Sequence, residues 1–211
     1  MKIAIFGAAG GTGRQVARQA LHRGHDVVAV VRDPSKFAIS SRRLTVVQGD
    51  VLDASSLSSA VDGAGAAVST VGIGSQKEPT TVYSEGIANI VSAMGAAKVS
   101  RLVAVTAAVA GPWREAGVVE RFVVYPILQR LFGASYDDMR RMEEYLNHST
   151  VDWTVIRPPR LLDKPAVGRY RQSVTGPVTF SRAITRADLA AAVLDALDEQ
   201  SWIHAAVSVA N

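Results

Sequence analysis

The sequence contains no cysteine, which excludes disulfides, thiolate metal sites and a cysteine nucleophile. The fold must then be held by burial alone, under either redox poise. Long apolar runs are also missing, and none approaches the ~20 residues that a membrane span needs. The chain opens directly on strand-like Lys2-Ile3-Ala4-Ile5-Phe6 with no signal-peptide pattern, so a cytoplasmic protein without a membrane partner is expected. Charge of one sign is scarce: 23 Lys+Arg against 19 Asp+Glu leave +4 at pH 7. The basic residues are mostly arginine, dispersed, with neither a basic run nor aromatic interleaving, so nucleic acid is not an expected partner. A small anionic ligand suits the planar arginine fork better. His22, His25, His148 and His204 fall in separate segments without metal-ligand spacing, and no metal site is expected.

What the chain does have is 48% hydrophobic residues over 211 positions, enough for one well-buried core and one domain spanning residues 1–211. Short β-branched or apolar runs recur at Lys2–Phe6, Asp26–Val31, Leu44–Gln48, Ala66–Thr70, Arg101–Thr106 and Asp152–Ile156. Continuous apolar strands of this kind imply burial on both faces. Helical spacing fills the intervals at Gln15–His22, Thr80–Ala97 and Tyr136–Asn147. This alternation predicts an α/β fold of Rossmann type, a doubly wound and mainly parallel sheet with helices on both faces. One segment, about 111–133, breaks the rhythm between Pro112 and Pro126 and is apolar. It reads as a helical insertion packed on the body, with a lid or a homodimer contact as the sharper alternative.

Gly7-Ala8-Ala9-Gly10-Gly11-Thr12-Gly13 follows the first strand and opens the first helix. In that context Gly7 permits the tight turn, Gly10 admits a pyrophosphate to the backbone, and Gly13 allows close helix–strand packing. The helix N-terminus adds free N–H groups and positive dipole. Gly7, Ala9, Gly10, Gly11, Thr12 and Gly13 are therefore candidate dinucleotide-binding residues. About twenty residues on, where an NAD-binding fold places an acidic residue for the ribose 2′-hydroxyl, the second strand ends in Val31-Arg32-Asp33-Pro34. Arg32 favours a 2′-phosphate, and Arg14 and Lys36 add positive charge, so NADP(H) is expected over NAD(H). Asp33 reads as the N-cap of a short helix with Pro34 at its first position. Asp50, at the end of the third strand, can accept from an adenine amino group. Thr70, Val71 and Gly72 put small residues at the crevice floor.

These elements, with Gly49-Asp50-Val51-Leu52, Pro79-Thr80-Thr81-Val82-Tyr83-Ser84-Glu85-Gly86, Arg157-Pro158-Pro159 and Ile184-Thr185-Arg186-Ala187-Asp188-Leu189, resemble the atypical short-chain dehydrogenase/reductase superfamily. The likeness is to its small NAD(P)H-binding branch, similar to the NmrA-like proteins and the biliverdin reductase B or flavin reductase group, and it covers nearly the whole chain. It implies a cofactor over Gly7 to Gly13, with Arg32 at the 2′-phosphate, Asp50 and Val51 at adenine, and Thr106 and Pro159 near the nicotinamide. The departures fall at the chemistry. The tyrosine four residues before a lysine that ordinary members use for proton transfer is absent; Tyr136 precedes Arg140 instead, in what reads as a solvated helix start with Ser135 and Asp138 as a capping box. The branch's serine after the fifth strand is Ala107, leaving Thr106 as the one candidate catalytic hydroxyl. Thr185 and Asp188 read as a second capping box, and Arg157, Arg160, Arg169 and Arg171 as a solvated face or a basic rim for an anionic substrate. By resemblance the chain reduces a small planar acceptor, flavin or quinone, by direct hydride transfer, which needs proximity more than an acid. The alternative is a non-catalytic NADP(H) sensor that reports to a regulatory protein partner.

Overall fold

A computed structural model describes residues 1–74, 78–111, 122, 125–178 and 183–211. Strands β1 (Lys2–Phe6), β2 (Asp26–Val31), β3 (Leu44–Gln48), β4 (Ala66–Ser69), β5 (Arg101–Val105) and β6 (Asp152–Arg157) form the body of a sheet. Downstream come β7 (Arg160–Leu162), β8 (Arg171–Ser173), β9 (Ala183–Thr185) and β10 (Ala205–Ala210). Among the described residues the main sheet has eight strands in the order β3-β2-β1-β4-β5-β6-β10-β8, all parallel except β8, which runs antiparallel along β10. β7 and β9 pair apart from it as a parallel two-stranded unit. Strand order reverses between β1 and β4, the place where a doubly wound sheet opens a crevice at its carboxyl ends.

Side-chain alternation sorts each central strand between two cores. Ile3 and Ile5 face one, where α1 (Gly11–His22) and α5 (Arg186–Asp198) contribute Val16, Ala17, Ala20, Leu189 and Val193. Ala4 and Phe6 face the other, covered by α2 (Ser58–Val61), α3 (Ser84–Ala96) and α4 (Tyr125–Asn147) through Val61, Ile87, Ile90, Met94, Met142 and Leu146. The chain is thus a Rossmann-type layer structure, as the alternation predicts. The expectation that every strand is buried on both faces fails at β3. As the edge strand it leaves Thr45, Val46 and Gln48 exposed, β2 being its one partner strand among the described residues.

Two further elements differ from the expectation. α4 begins at Tyr125, eleven residues before the expected start at Tyr136, and is broken at Phe132, whose φ of −136° and ψ of 16° are non-helical. Of the insertion expected at about 111–133, residues 112–121, 123 and 124 lie outside the described residues. Residues 135–138 therefore sit inside a helix rather than at a solvated start. Ser135 is buried, and Asp138, fully buried, accepts from the backbone N–H of Tyr83 at 2.9 Å and of Ser84 at 3.4 Å and from the Ser84 hydroxyl. It caps α3, which has no capping side chain of its own, rather than α4. Of the box expected of Thr185 and Asp188 one half forms, the Thr185 hydroxyl accepting from the Asp188 N–H at 3.0 Å, while the Thr185 N–H donates to the Asn211 side chain at 2.8 Å in place of Asp188.

Candidate functional site

The carboxyl ends of β1 to β6 open on one crevice of about 830 Å³, within the size range of a cofactor site. Its floor is the β1–α1 turn. Gly7 has φ +74°, and a Cβ there would sit 2.9 Å from the Thr70 carbonyl carbon, so the β1 and β4 ends pack together only around glycine. A Cβ on Gly13 would fall 2.3 Å from the Gly7 carbonyl oxygen, which makes Gly13 the packing glycine beneath the turn rather than part of the wall. Gly10, Gly11, Thr12, Ala9 and Gly7 face the crevice. Gly10 is the N-cap of α1 and brings no capping side chain, and the first turn holds no acidic residue, so the N–H groups at that end are left for an anion. Thr70, Val71 and Gly72 line the opposite side.

At the β2 and β3 ends, Arg32, Asp50 and Val51 line the crevice. Arg32 is exposed, and its backbone carbonyl is held by the Gln48 amide at 3.3 Å. Asp33 caps the turn Pro34–Lys36 by accepting from the Ser35 N–H at 3.1 Å. The Ser35 hydroxyl and Lys36 beside it hold the Asp33 carboxyl below the usual carboxylate range. Lys36 points at Asp33, 3.1 Å away, and Arg14 donates to the Lys36 carbonyl at 2.8 Å; neither is on the crevice wall. Of the three cations expected near a 2′-phosphate, Arg32 alone is on the crevice wall. Asp50 spends one carboxylate oxygen on the Leu52 N–H at 3.0 Å.

The far end is built by Thr106, Ala107, Pro158, Pro159, Leu161, Met139, Val82 and Tyr83. Thr106 is buried and its hydroxyl donates to the Glu143 carboxylate at 2.8 Å. Glu143, itself buried on α4, is gripped at both oxygens by Arg157, Nε at 3.1 Å and Nη2 at 2.5 Å. A paired carboxylate only accepts, so the Thr106 hydrogen is committed to it and the oxygen turns only lone pairs elsewhere. Arg157 thereby leaves the solvated or substrate-facing set expected of it. Tyr136 is half-buried, edge-on to Phe132 at 6.3 Å, and burial followed by the neighbouring Tyr83 raises its phenol, the opposite of what a proton-transferring tyrosine needs. Arg140, the residue at its lysine position, pairs instead with Asp137. Tyr83 is also raised, chiefly by burial, and its oxygen accepts from the Ile73 N–H at 3.4 Å.

Glu143, Tyr83 and Arg186 are among the site residues that sequence reasoning did not single out. Arg186 stood inside a quoted motif, yet a charge at a helix start gives no sign that it reaches back across the chain to the glycine loop.

These walls form the crevice of a Rossmann-type fold, open at the carboxyl ends of the strands. The chain belongs to the family described as NAD(P)H-binding, whose profile matches residues 7–200. A curated relative, the uncharacterized protein YwnB of Bacillus subtilis, is 25% identical over 203 residues, covering 94% of this chain and 92% of its own. Among solved structures, a short-chain dehydrogenase/reductase of Veillonella parvula in complex with NADP superposes with a TM-score of 0.81 at 19% identity, over 100% of this chain and 94% of that one. ChuY of Escherichia coli O157:H7, described as an anaerobillin reductase, gives 0.79 at 23% identity, over 100% and 97%. Among the described residues no helix is long and apolar enough to cross a membrane.

Proposed function

We propose that the protein is an NADPH-dependent reductase that passes hydride directly to a small planar acceptor of flavin or quinone type. The observation that carries this is the state of the far end of the crevice. Its Thr106 hydroxyl is committed to Glu143, the phenols of Tyr83 and nearby Tyr136 are raised rather than activated, and the remaining described wall is largely apolar. Such a wall suits stacking and exclusion of water, not delivery of a proton. The reductase description of ChuY supports the same direction.

The residues present fit the cofactor. The N–H groups at the start of α1 would hold the pyrophosphate, Arg32 the 2′-phosphate and Asp50 the adenine amino group, while Thr106, fixed by Glu143, and Pro159 would position the nicotinamide. The cofactor supplies the hydride when bound. The test is to follow loss of the reduced-nicotinamide absorbance with a panel of flavins and quinones, NADPH and NADH in parallel. Turnover preferring NADPH is the expected result. Saturable NADPH binding with no turnover on any acceptor would overturn the reductase in favour of a non-catalytic sensor with a protein partner, a reading that the committed Thr106 hydroxyl also accommodates.

A further inference from the structure

Arg186 opens α5 and reaches back over the glycine loop. A Cβ on Gly11 would come within 2.9 Å of its Cδ and Nε, so the side chain lies flat on the loop backbone. Its Nη1 donates to the Thr12 hydroxyl at 3.3 Å and its Nε to Asp163 at 2.8 Å. Gly11, Thr12 and Arg186 all line the crevice. We propose that Arg186 is a second phosphate-reading cation of this site, closing over the diphosphate of the dinucleotide from the C-terminal half of the chain. The proposal rests on the cofactor reading above.

The charge balance favours such a contact. A dinucleotide's diphosphate carries two negative charges, whereas a helix N-terminus offers only about half an elementary charge. The basic residue just past the loop, Arg14 on α1, is turned away to the Lys36 carbonyl. Among the described residues the cations on the crevice wall are Arg32 and Arg186, and they stand at different places, one at the β2 end and the other against Gly11 and Thr12. A guanidinium has five N–H donors in a planar fork. Asp163 and Thr12 take one each, which leaves donors for phosphate oxygens. The Asp163 side chain is 81% exposed, so its ion pair contributes little energy.

Two ligands separate the two arginines. NADPH carries both the diphosphate and the 2′-phosphate; adenosine 2′-monophosphate carries only the latter. In Arg186→Met, which keeps an apolar stem on Gly11, dissociation constants for NADPH and NADH measured by fluorescence or calorimetry should both rise by roughly 10- to 100-fold, the loss of charge-assisted bonds, while that for adenosine 2′-monophosphate stays unchanged. The unchanged ligand is also the check on folding. NADPH affinity within twofold of the natural protein, or an equal loss for adenosine 2′-monophosphate, would overturn the assignment. Failure of the unsubstituted protein to bind either dinucleotide would overturn the cofactor reading itself, and is a separate result.

Discussion

Arg32 and Gly10 carry the two strongest statements at the scale of single residues. Arg32 is exposed on the crevice wall at the end of β2, where an acidic residue would select a ribose hydroxyl. Arg32→Ala should weaken NADPH by roughly 1–3 kcal/mol, the range for a hydrogen bond to a charged group, and leave NADH nearly unaffected in a titration. Equal weakening of both would remove the 2′-phosphate assignment. Gly10 differs from Gly7 and Gly13 in what surrounds it. Its missing Cβ meets only the Gly7 carbonyl oxygen, at 3.2 Å, so a side chain there would extend into the crevice. Gly10→Val should abolish binding of both cofactors while the far-ultraviolet circular dichroism stays that of the folded protein; retained affinity would show that the diphosphate does not approach this turn. Tyr136→Phe, by contrast, should leave turnover unaltered, since the phenol is raised by burial and lacks a lysine. A large loss of kcat there would restore Tyr136 as a proton donor.

Between elements, the decisive contact is Asp138. It stands on α4, yet its carboxylate satisfies the free N–H groups of α3, whose first residues adjoin Val82 and Tyr83 on the crevice wall. Asp138→Ala should cost about 1–3 kcal/mol in a denaturant titration, a lost cap together with buried donors left unpaired, and should weaken cofactor binding through the displaced Tyr83. Unchanged stability would mean that water replaces the carboxylate. The same residue marks what a sequence can and cannot disclose. Ser135-x-x-Asp138 has the letters of a local capping box, and a local pattern is all that spacing reports; the true partners lie 54 and 55 positions away. The glycine loop was legible because its constraint is local: strand, turn and helix follow one another within a dozen residues. So was the Asp33 cap, whose acceptor and donor are two residues apart. Glu143 was not, because its neighbours come from distant places in the chain, Thr106 just past β5 and Arg157 at the end of β6. The edge exposure of β3 was hidden for the same reason, since strand order is a property of the assembled sheet.

Over the whole molecule, the C-terminal third is secured by two buried charges. Arg101 on β5 donates to the carbonyls of Asp152 at 2.6 Å and Leu197 at 3.3 Å, to that of Ala196, and to the Thr154 hydroxyl at 2.8 Å, tying β6 and the last turn of α5 to the sheet. Asp188 does the same at the other end of α5. Its carboxylate accepts from the backbone N–H of Val167 at 2.9 Å and of Gly168 at 3.0 Å, from the Thr185 hydroxyl at 2.6 Å and from Asn211 at 3.0 Å. Burial alone would raise this carboxyl. The hydrogen bonds from Thr185, Val167, Gly168 and Asn211 outweigh it and leave the group below the usual carboxylate range. A carboxyl lowered on folding contributes stability that is present above its unfolded pKa of about 3.9 and is lost as pH falls through the lower folded value. Stability measured by chemical denaturation should therefore decline as pH falls from about 5 to about 3. Asp33 and Glu199 are lowered too, but both lie at the surface, where solvent screens the effect. Asp188→Asn should start less stable at neutral pH and decline less steeply over that window, because it has no such proton to take up. Parallel acid profiles for the two proteins would place the acid-sensitive carboxylate elsewhere in the chain, and would reduce Asp188 to a cap on α5.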